Sequence, residues 1–267
     1  MICYPTPKIN IGLNVLRKRE DGFHDIETLF YPVDAFHDEL SIVRSKTFSI
    51  NIEGAYWNPM GDITAKAWRL MADEYGIGPV AIRMIKHIPV GAGLGGGSAD
   101  GACALGMLNE LFELNLPTER LEQLAGRLGA DCAFFIKGVP QWGSGIGDIL
   151  EPADIDLSDY EIRIAIPSGV HVNTAEAYKG LTPHETSEPL REAISLPVDQ
   201  WRGRVVNDFE ATVFASHPKI AALKEQMYRD GAIYASMSGS GAAVYGIFST
   251  TPRNLGGRSP KMSIFEV

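Results

Sequence analysis

The stretch Pro89-Val90-Gly91-Ala92-Gly93-Leu94-Gly95-Gly96-Gly97-Ser98-Ala99-Asp100 decides the fold of this 267-residue chain. Five of the seven residues from Gly91 to Gly97 are glycine, which lets the backbone approach a ligand closely. Alternating apolar residues predict a strand before it, and helical spacing predicts a helix after it, capped by Ser98. Unpaired N–H groups at such a helix start attract anions. The stretch therefore predicts a phosphate-binding loop.

Three familiar glycine motifs fit this loop poorly. A Walker loop needs a lysine after its last glycine, and here Gly97 and Ser98 follow Gly96. The glycines at 91, 93 and 96 satisfy the dinucleotide-binding pattern formally, but the acidic residue expected on the next strand is missing, and Glu110 falls within the helix. A hydrolase elbow, G-x-S-x-G, does not surround Ser98.

Two polar residues far from the loop in sequence are candidates for chemistry. From Lys8 to Val15 apolar and polar residues alternate, which predicts a half-buried strand with Lys8 and Asn10 on its polar face. Asp131 follows Gly129, the terminator of a helix predicted to be capped at Thr118. Taken alone, Lys8 is read as a solvated strand residue and Asp131 as a turn residue.

Taken together, the separated motifs resemble the GHMP kinases. They occur in the expected order as Pro7–Asn14, Asp21–His24, Pro89–Ala99, Gly129–Asp131 and Met237–Ala242. The resemblance extends over about residues 5 to 248. It implies an α+β, two-lobed GHMP kinase fold, with an N-terminal lobe like the second domain of ribosomal protein S5 and a ferredoxin-like C-terminal lobe. We expect the ATP-binding lobe to span residues 1–152, the substrate-binding lobe residues 153–267, and both substrates to bind between them.

The resemblance also implies roles for individual residues. Asp131 and Lys8 are the expected catalytic pair. ATP and Mg²⁺ are the expected cofactors, because transferred phosphoryl charge must be neutralised. Ser98 is the expected metal ligand, and a pure capping role is its alternative. The expected ATP-binding residues are Pro89, Gly91, Gly93, Leu94, Gly95, Gly96, Gly97, Ser98 and Lys66.

The acceptor implied by the resemblance is diphosphocytidyl methylerythritol, phosphorylated at its 2-hydroxyl in the non-mevalonate isoprenoid pathway. Phe23 would stack on the cytosine, His24 would read its hydrogen-bonding edge, and Tyr178 would complete the stack. Core packing is the alternative for Phe23 and Tyr178, and an exposed turn position for His24. The remaining substrate-binding residues are expected to be Asn10, Thr174 and Ser240.

Three other functions remain open at the level of the sequence. A related kinase acting on homoserine or mevalonate is one, although Asp21–His24 argues against it. A nicotinamide oxidoreductase rests only on the glycines at 91, 93 and 96. A nucleotide-binding protein without catalytic activity is the third.

Composition restricts the partners. A net charge of -9 and a pI near 5.2 argue against a nucleic acid or an anionic membrane as partner, so a small-molecule substrate and ATP are expected. The three cysteines are widely spaced, which predicts no disulfide framework and a cytoplasmic location. No export signal or membrane span is evident. We expect a monomer or a weak homodimer.

Overall fold

The computed structural model describes residues 1–34, 36–54, 57–184 and 188–250, and the backbone of a strand at Ser263–Glu266. It forms two compact units that are interleaved along the chain. The first comprises Met1–Lys8, Pro32–Val90 and Gly95–Val139, and the second comprises Ile9–Tyr31, Gly91–Leu94 and Pro140–Val267. The lobe boundary expected between residues 152 and 153 lies within the second unit, and it stays a prediction.

The strands are β1 (Ile2–Cys3), β2 (Lys8–Lys18), β3 (His24–Pro32), β4 (Glu39–Arg44), β5 (Ser49–Glu53), β6 (Val80–Ile85), β7 (Gln141–Ser144), β8 (Ile149–Pro152), β9 (Tyr160–Ile166), β10 (Tyr234–Met237), β11 (Val244–Ser249) and β12 (Ser263–Glu266). The α-helices are α1 (Ile63–Tyr75), α2 (Gly96–Leu111), α3 (Thr118–Leu128), α4 (Phe134–Lys137), α5 (Thr174–Lys179), α6 (Leu190–Ser195), α7 (Phe209–Ser216) and α8 (Pro218–Arg229). The mixture is α+β, as expected.

The first unit is built on the sheet β1-β4-β6-β5, in which β5 runs parallel to β6 and the other neighbours are antiparallel. Its core is apolar, with Leu40 of β4, Met84 of β6 and Leu105 of α2 fully buried. Helix α1 packs closely on α2 because Gly101 has no side chain. A Cβ there would lie 2.9 Å from Cγ1 of Ile63.

Helix α2 begins three residues earlier than expected. Gly95 is its N-cap in the left-handed conformation, and no side chain caps the helix. The predicted capping role of Ser98 is therefore wrong, because Ser98 is already the third helical residue. Thr118 is likewise the first residue of α3 rather than its cap, which is Pro117, whereas Gly129 ends α3 as predicted.

The second unit contains two sheets, ordered β2-β3-β7-β8 and β10-β11-β9-β12. Apolar residues of β2, β10 and β11 form one core with α7 and α8, including Val15, Val213, Ile220, Met237 and Val244. This packing corrects the expectation of a half-buried strand at residues 8–15. Every residue from Lys8 to Val15 is buried, so both faces of β2 are covered.

The cysteines depart from expectation. Cys3 in β1 and Cys103 in α2 are joined by a disulfide, with their Cα atoms 6.8 Å apart. The prediction of no disulfide is therefore wrong. The two residues are 100 positions apart, so the sequence carries no spacing signal for the pair. The cysteines therefore no longer support the expected cytoplasmic location.

None of the described helices has both the length and the apolar character needed to cross a bilayer.

Candidate active site

Lys8 and Asp131 lie together in the first unit. The Lys8 Nζ atom is 3.4 Å from Oδ2 of Asp131, which confirms the expected proximity. Lys8 is the first residue of β2, and Asp131 belongs to a short 3₁₀ helix, Ala130–Cys132, that follows α3. The lysine side chain is only 3% exposed, whereas the aspartate is 34% exposed. The reading of Lys8 as a solvated residue is therefore wrong, and the carboxylate is accessible to a ligand.

The buried position of Lys8 changes its acidity. Burial lowers the pKa of the Lys8 ammonium, while the charge of Asp131 and a hydrogen bond to it partly offset this effect. An ammonium with a lowered pKa donates a hydrogen bond more readily than an exposed lysine does. Asp131 thus has a desolvated cation on one side and solvent on the other.

The start of α2 contributes to the same local site. The first helical hydrogen bond runs from the Ala99 N–H to the Gly95 carbonyl, at 2.9 Å. The preceding helical amides are of the kind that binds anions, because no side chain caps this helix. A Cβ on Gly95 would lie 2.9 Å from Cζ of Phe135 and 3.2 Å from Cε of Lys8, so the loop, Lys8 and α4 approach one another here.

Ser98 faces the turn that carries Asp131. Its hydroxyl is hydrogen-bonded to the Cys132 thiol. Burial raises the pKa of that thiol to about 11, the Ser98 bond lowers it, and the Asp131 charge raises it further. Cys132 is therefore a neutral thiol rather than a reactive thiolate at physiological pH.

Gly95→Ala is expected to raise the KM for ATP by about tenfold or more and to lower the melting temperature. Gly95 has a φ of +71°, and the added methyl group would press on Phe135 and on Lys8. Initial rates at varied ATP, together with thermal unfolding, measure the effect. Gly106→Ala is the matched control, because a Cβ at that position of α2 meets nothing within 4 Å. Equal kinetic effects of both substitutions would contradict the assignment.

The part of the glycine loop that belongs to the second unit is held by the loop after β10. The Ser238 hydroxyl donates to the Gly93 carbonyl at 2.9 Å, and the Ala243 N–H donates to the Ala92 carbonyl at 3.0 Å. Only glycine fits at position 93, where a Cβ would lie 2.0 Å from the Ser238 carbonyl oxygen. Sequence reasoning missed Ser238 as a positioning residue, because its glycine-rich surroundings indicate only a loop.

A cavity of about 680 Å³ opens in the second unit and is lined by Phe23, His24, Thr174 and Tyr178 together with neighbouring residues. The His24 and Tyr178 rings stack, with centroids 4.6 Å apart and planes 16° from parallel. Phe23 is 58% exposed, so its ring is available to a ligand. Burial lowers the pKa of His24, and the charge of Lys18 lowers it further, so the ring is neutral at pH 7.

The stacking differs in detail from the expected arrangement. Tyr178 was expected to stack on a bound cytosine, but one face of its ring is covered by His24. Phe209 packs edge-on against Tyr178, with ring centroids 4.7 Å apart. The core-packing reading of Phe23 is wrong, since that ring is exposed. Thr174 and Ser240 meet through their hydroxyl oxygens at 2.8 Å.

The other predicted residues occupy varied positions. Asn10 is buried, and its amide donates to the Thr28 hydroxyl at 3.0 Å. Lys66 is exposed on α1, and Pro89 begins the loop. Leu94 is buried and supports the loop as an apolar anchor. Roles of these residues in ligand binding stay predictions.

Family models match both halves of the chain. The GHMP kinases N terminal domain matches residues 62–139, and the GHMP kinases C terminal model matches residues 190–255.

Whole-chain comparisons agree. A protein of Bacteroides thetaiotaomicron named 4-diphosphocytidyl-2-C-methyl-D-erythritol kinase is 47% identical, over 93% of this chain and 92% of its own. A protein of the same name from Cytophaga hutchinsonii is 42% identical, over 94% of each chain. The crystal structure of a 4-(cytidine 5'-diphospho)-2C-methyl-D-erythritol kinase matches with a TM-score of 0.78 at 30% identity, over 92% of this chain and 90% of that one. Methanococcus jannaschii mevalonate kinase, 12% identical with a TM-score of 0.69 and covering 93% and 90%, shares the fold. The chain therefore belongs to the GHMP kinase family of small-molecule kinases, within the group that carries the name of these relatives.

Proposed function

We propose that the chain transfers the terminal phosphoryl group of ATP to the 2-hydroxyl of 4-diphosphocytidyl-2-C-methyl-D-erythritol. The observation that carries the proposal is the accessible Asp131 carboxylate paired with buried Lys8 beside an uncapped helix start. A carboxylate can accept a proton from an alcohol, a cation can stabilise the attacking oxygen, and helix amides can hold phosphates. The same site therefore offers the three elements that phosphoryl transfer needs.

Asp131 acts on the acceptor hydroxyl by orienting it and accepting its proton as the bond to phosphorus forms. A loose transition state places little early demand on a strong base, so a carboxylate suffices. Lys8 donates a hydrogen bond to Asp131 and stabilises negative charge on the attacking oxygen. Its low exposure strengthens this interaction, because solvent screens it little.

Mg²⁺ fits this site only in part. Within the described residues, no group of three or more His, Cys, Asp or Glu side chains could hold a metal ion. The available donors are the Asp131 carboxylate and the Ser98 hydroxyl, which already bonds Cys132. Mg²⁺ commonly binds through one or two protein groups and the phosphates of a nucleotide, so the Ser98 hydroxyl would hold it with ATP. When bound, it would neutralise charge on the transferred group.

The cytidine end of the acceptor would occupy the cavity lined by Phe23 and His24. Cytosine presents a donor and two acceptors on its edge, and a neutral imidazole offers one donor and one acceptor. The exposed Phe23 ring supplies a stacking surface worth about 1–3 kcal/mol for a base. Recognition of the pyrimidine, and not of the sugar alcohol alone, would thus determine which acceptor the protein binds.

A panel of acceptors tests the proposal. ADP release is measured with ATP and, separately, the diphosphocytidyl substrate, mevalonate or homoserine. We expect kcat/KM for the diphosphocytidyl compound to exceed the others by at least about 10²-fold, because a site built for hydrogen bonds rejects molecules that leave its polar groups unpaired. Faster turnover of mevalonate or homoserine would refute the proposed acceptor.

A substitution of His24 tests whether the cavity binds the acceptor. His24→Ala is expected to raise the KM for the diphosphocytidyl substrate about tenfold, through loss of a hydrogen bond and of ring packing, and to leave the KM for ATP unchanged. His217→Ala, in a turn before α8, is the matched control. An unchanged acceptor KM in His24→Ala would remove the cavity from the substrate site.

A further inference from the structure

A buried lysine in the first unit lies between two buried carboxylates, and none of the three residues has been assigned a role above. Lys86 Nζ lies 2.5 Å from Oδ2 of Asp100 and also bonds Oδ2 of Asp38. The side chains are 3%, 2% and 0% exposed, respectively. We call Asp38, Lys86 and Asp100 the buried triad.

The buried triad joins the two ends of the glycine loop. Lys86 directly follows β6, and Oδ1 of Asp38 accepts hydrogen bonds from the backbone N–H groups of His87 at 2.5 Å and Ile88 at 2.8 Å. These are the last two residues before Pro89, where the loop begins. Asp100 is in the second turn of α2, just after the loop. Lys86 thus links the chain that enters the loop to the helix that leaves it.

The two ends of the glycine loop also pack directly against each other. A Cβ on Gly96 would lie 2.6 Å from Cγ2 of Ile88, so the helix start and the segment that enters the loop are in direct contact. The ion pairs of the buried triad, which connect these two ends, are buried, so they are sensitive to the loss of one partner.

The charges explain why each partner matters. Two buried carboxylates, those of Asp38 and Asp100, share the single buried ammonium of Lys86. The Oδ1 atom of Asp100 is buried and has no hydrogen-bond partner among the described residues. The Asp100 carboxylate is held by Lys86 through its other oxygen, Oδ2, at 2.5 Å.

We infer that the buried triad is a positioning device that orders the first turn of α2 for binding the phosphates of the nucleotide. The inference rests on the proposed use of ATP at this helix start. The three residues touch the two ends of the loop rather than its glycines, so they act through the backbone. Loosening the triad should weaken ATP binding selectively and leave binding of the acceptor intact.

Asp100→Ala in the full chain is the principal test. It leaves Lys86 and Asp38 as a charge-balanced pair, so the variant should fold. We expect amide exchange in the peptide covering residues 86–100 to accelerate at least tenfold, and the KM for ATP to rise at least tenfold. The KM for the acceptor should stay within twofold of the wild type. Asp100→Asn keeps an oxygen acceptor for Lys86 and should restore both values to within threefold.

Ile42→Ala is the control, because Ile42 is fully buried in β4 of the same sheet and pairs with Ile82, in the middle of β6. It should lower the melting temperature without changing exchange at residues 86–100 or the KM for ATP. Wild-type exchange and KM in Asp100→Ala would overturn the inference, as would the same shifts in Ile42→Ala. Hydrogen exchange needs no substrate, so failure of the proposed acceptor would be recognised separately by absent turnover of the wild type.

Discussion

Asp131→Asn is expected to lower kcat by about 10²–10⁴-fold, the range typical of removing a general base. The amide keeps the size and shape of the carboxylate but cannot accept the proton of the acceptor hydroxyl. It also removes the charge that partly offsets the lowered pKa of Lys8. ADP release at saturating ATP and acceptor measures kcat directly.

The stability of this variant should change little. Asp131 is 34% exposed, and the side-chain oxygen of asparagine can still accept a hydrogen bond from the Lys8 ammonium, so the buried lysine keeps a polar partner. Circular dichroism and the melting temperature should therefore match the wild type. Asp73→Asn, an exposed position on α1, is the matched control and should keep full activity. Turnover of Asp131→Asn within a few-fold of the wild type would remove Asp131 from the reaction.

Lys8→Met is expected to lower kcat by about 10²–10³-fold, comparable with removing one preorganised donor from an active site. The substitution removes the ammonium that bonds Asp131 while preserving an unbranched side chain of similar length. Because the two residues act as a unit, Lys8→Met combined with Asp131→Asn should cost little more than Asp131→Asn alone. Fully additive losses in the double variant would mean that the two side chains work independently.

Lys8→Met should also separate activity from stability. Burial lowers the pKa of Lys8 in the folded state, so between that value and the ordinary value of 10.5 the unfolded chain binds more protons. The charged lysine therefore costs stability at neutral pH, and the cost fades as the pH rises. Replacing it with methionine should keep or raise the melting temperature at pH 7. A large fall in melting temperature would assign Lys8 a structural role instead.

The pH profile supplies a second readout for Lys8. The ammonium is the active form, so wild-type kcat should fall as the pH rises through the lowered pKa of Lys8. The loss should begin at a lower pH than an exposed lysine would produce. In Lys8→Met this alkaline decline should disappear from the residual activity. An identical decline in both proteins would assign it to another group.

Local patterns in the sequence predicted much of the fold. The hydrophobic period predicts a strand over Tyr160–Ile166 and a helix over Pro218–Arg229, and both elements have these bounds in the structure. Each combines a clear period with proline or charged residues at its ends. The errors occur where tertiary contacts override such signals. Serine is a residue type typical of N-caps, yet the N-cap of α2 is Gly95 in the left-handed conformation. Ser98 lies inside the helix and contacts Cys132 instead.

Burial of polar residues could not be predicted from the pattern. Lys8 and Asn10 alternate with apolar neighbours exactly as residues on a solvent face would, but packing covers that face as well. Likewise, Lys86 and Asp38 belong to no motif, and their meeting with Asp100 depends on contacts between residues up to 62 positions apart, the separation of 38 and 100. Charge alone would have placed all three at the surface.

The sequence by itself determined the glycine loop, the order of the motifs and the family, because these depend on residue types at fixed local spacing. Only the tertiary structure decided that Lys8 is desolvated beside Asp131, that His24 stacks on Tyr178, and that the buried triad joins the ends of the loop. Desolvation and pairing arise when distant segments exclude water from the same volume, and no local pattern of residues encodes that exclusion.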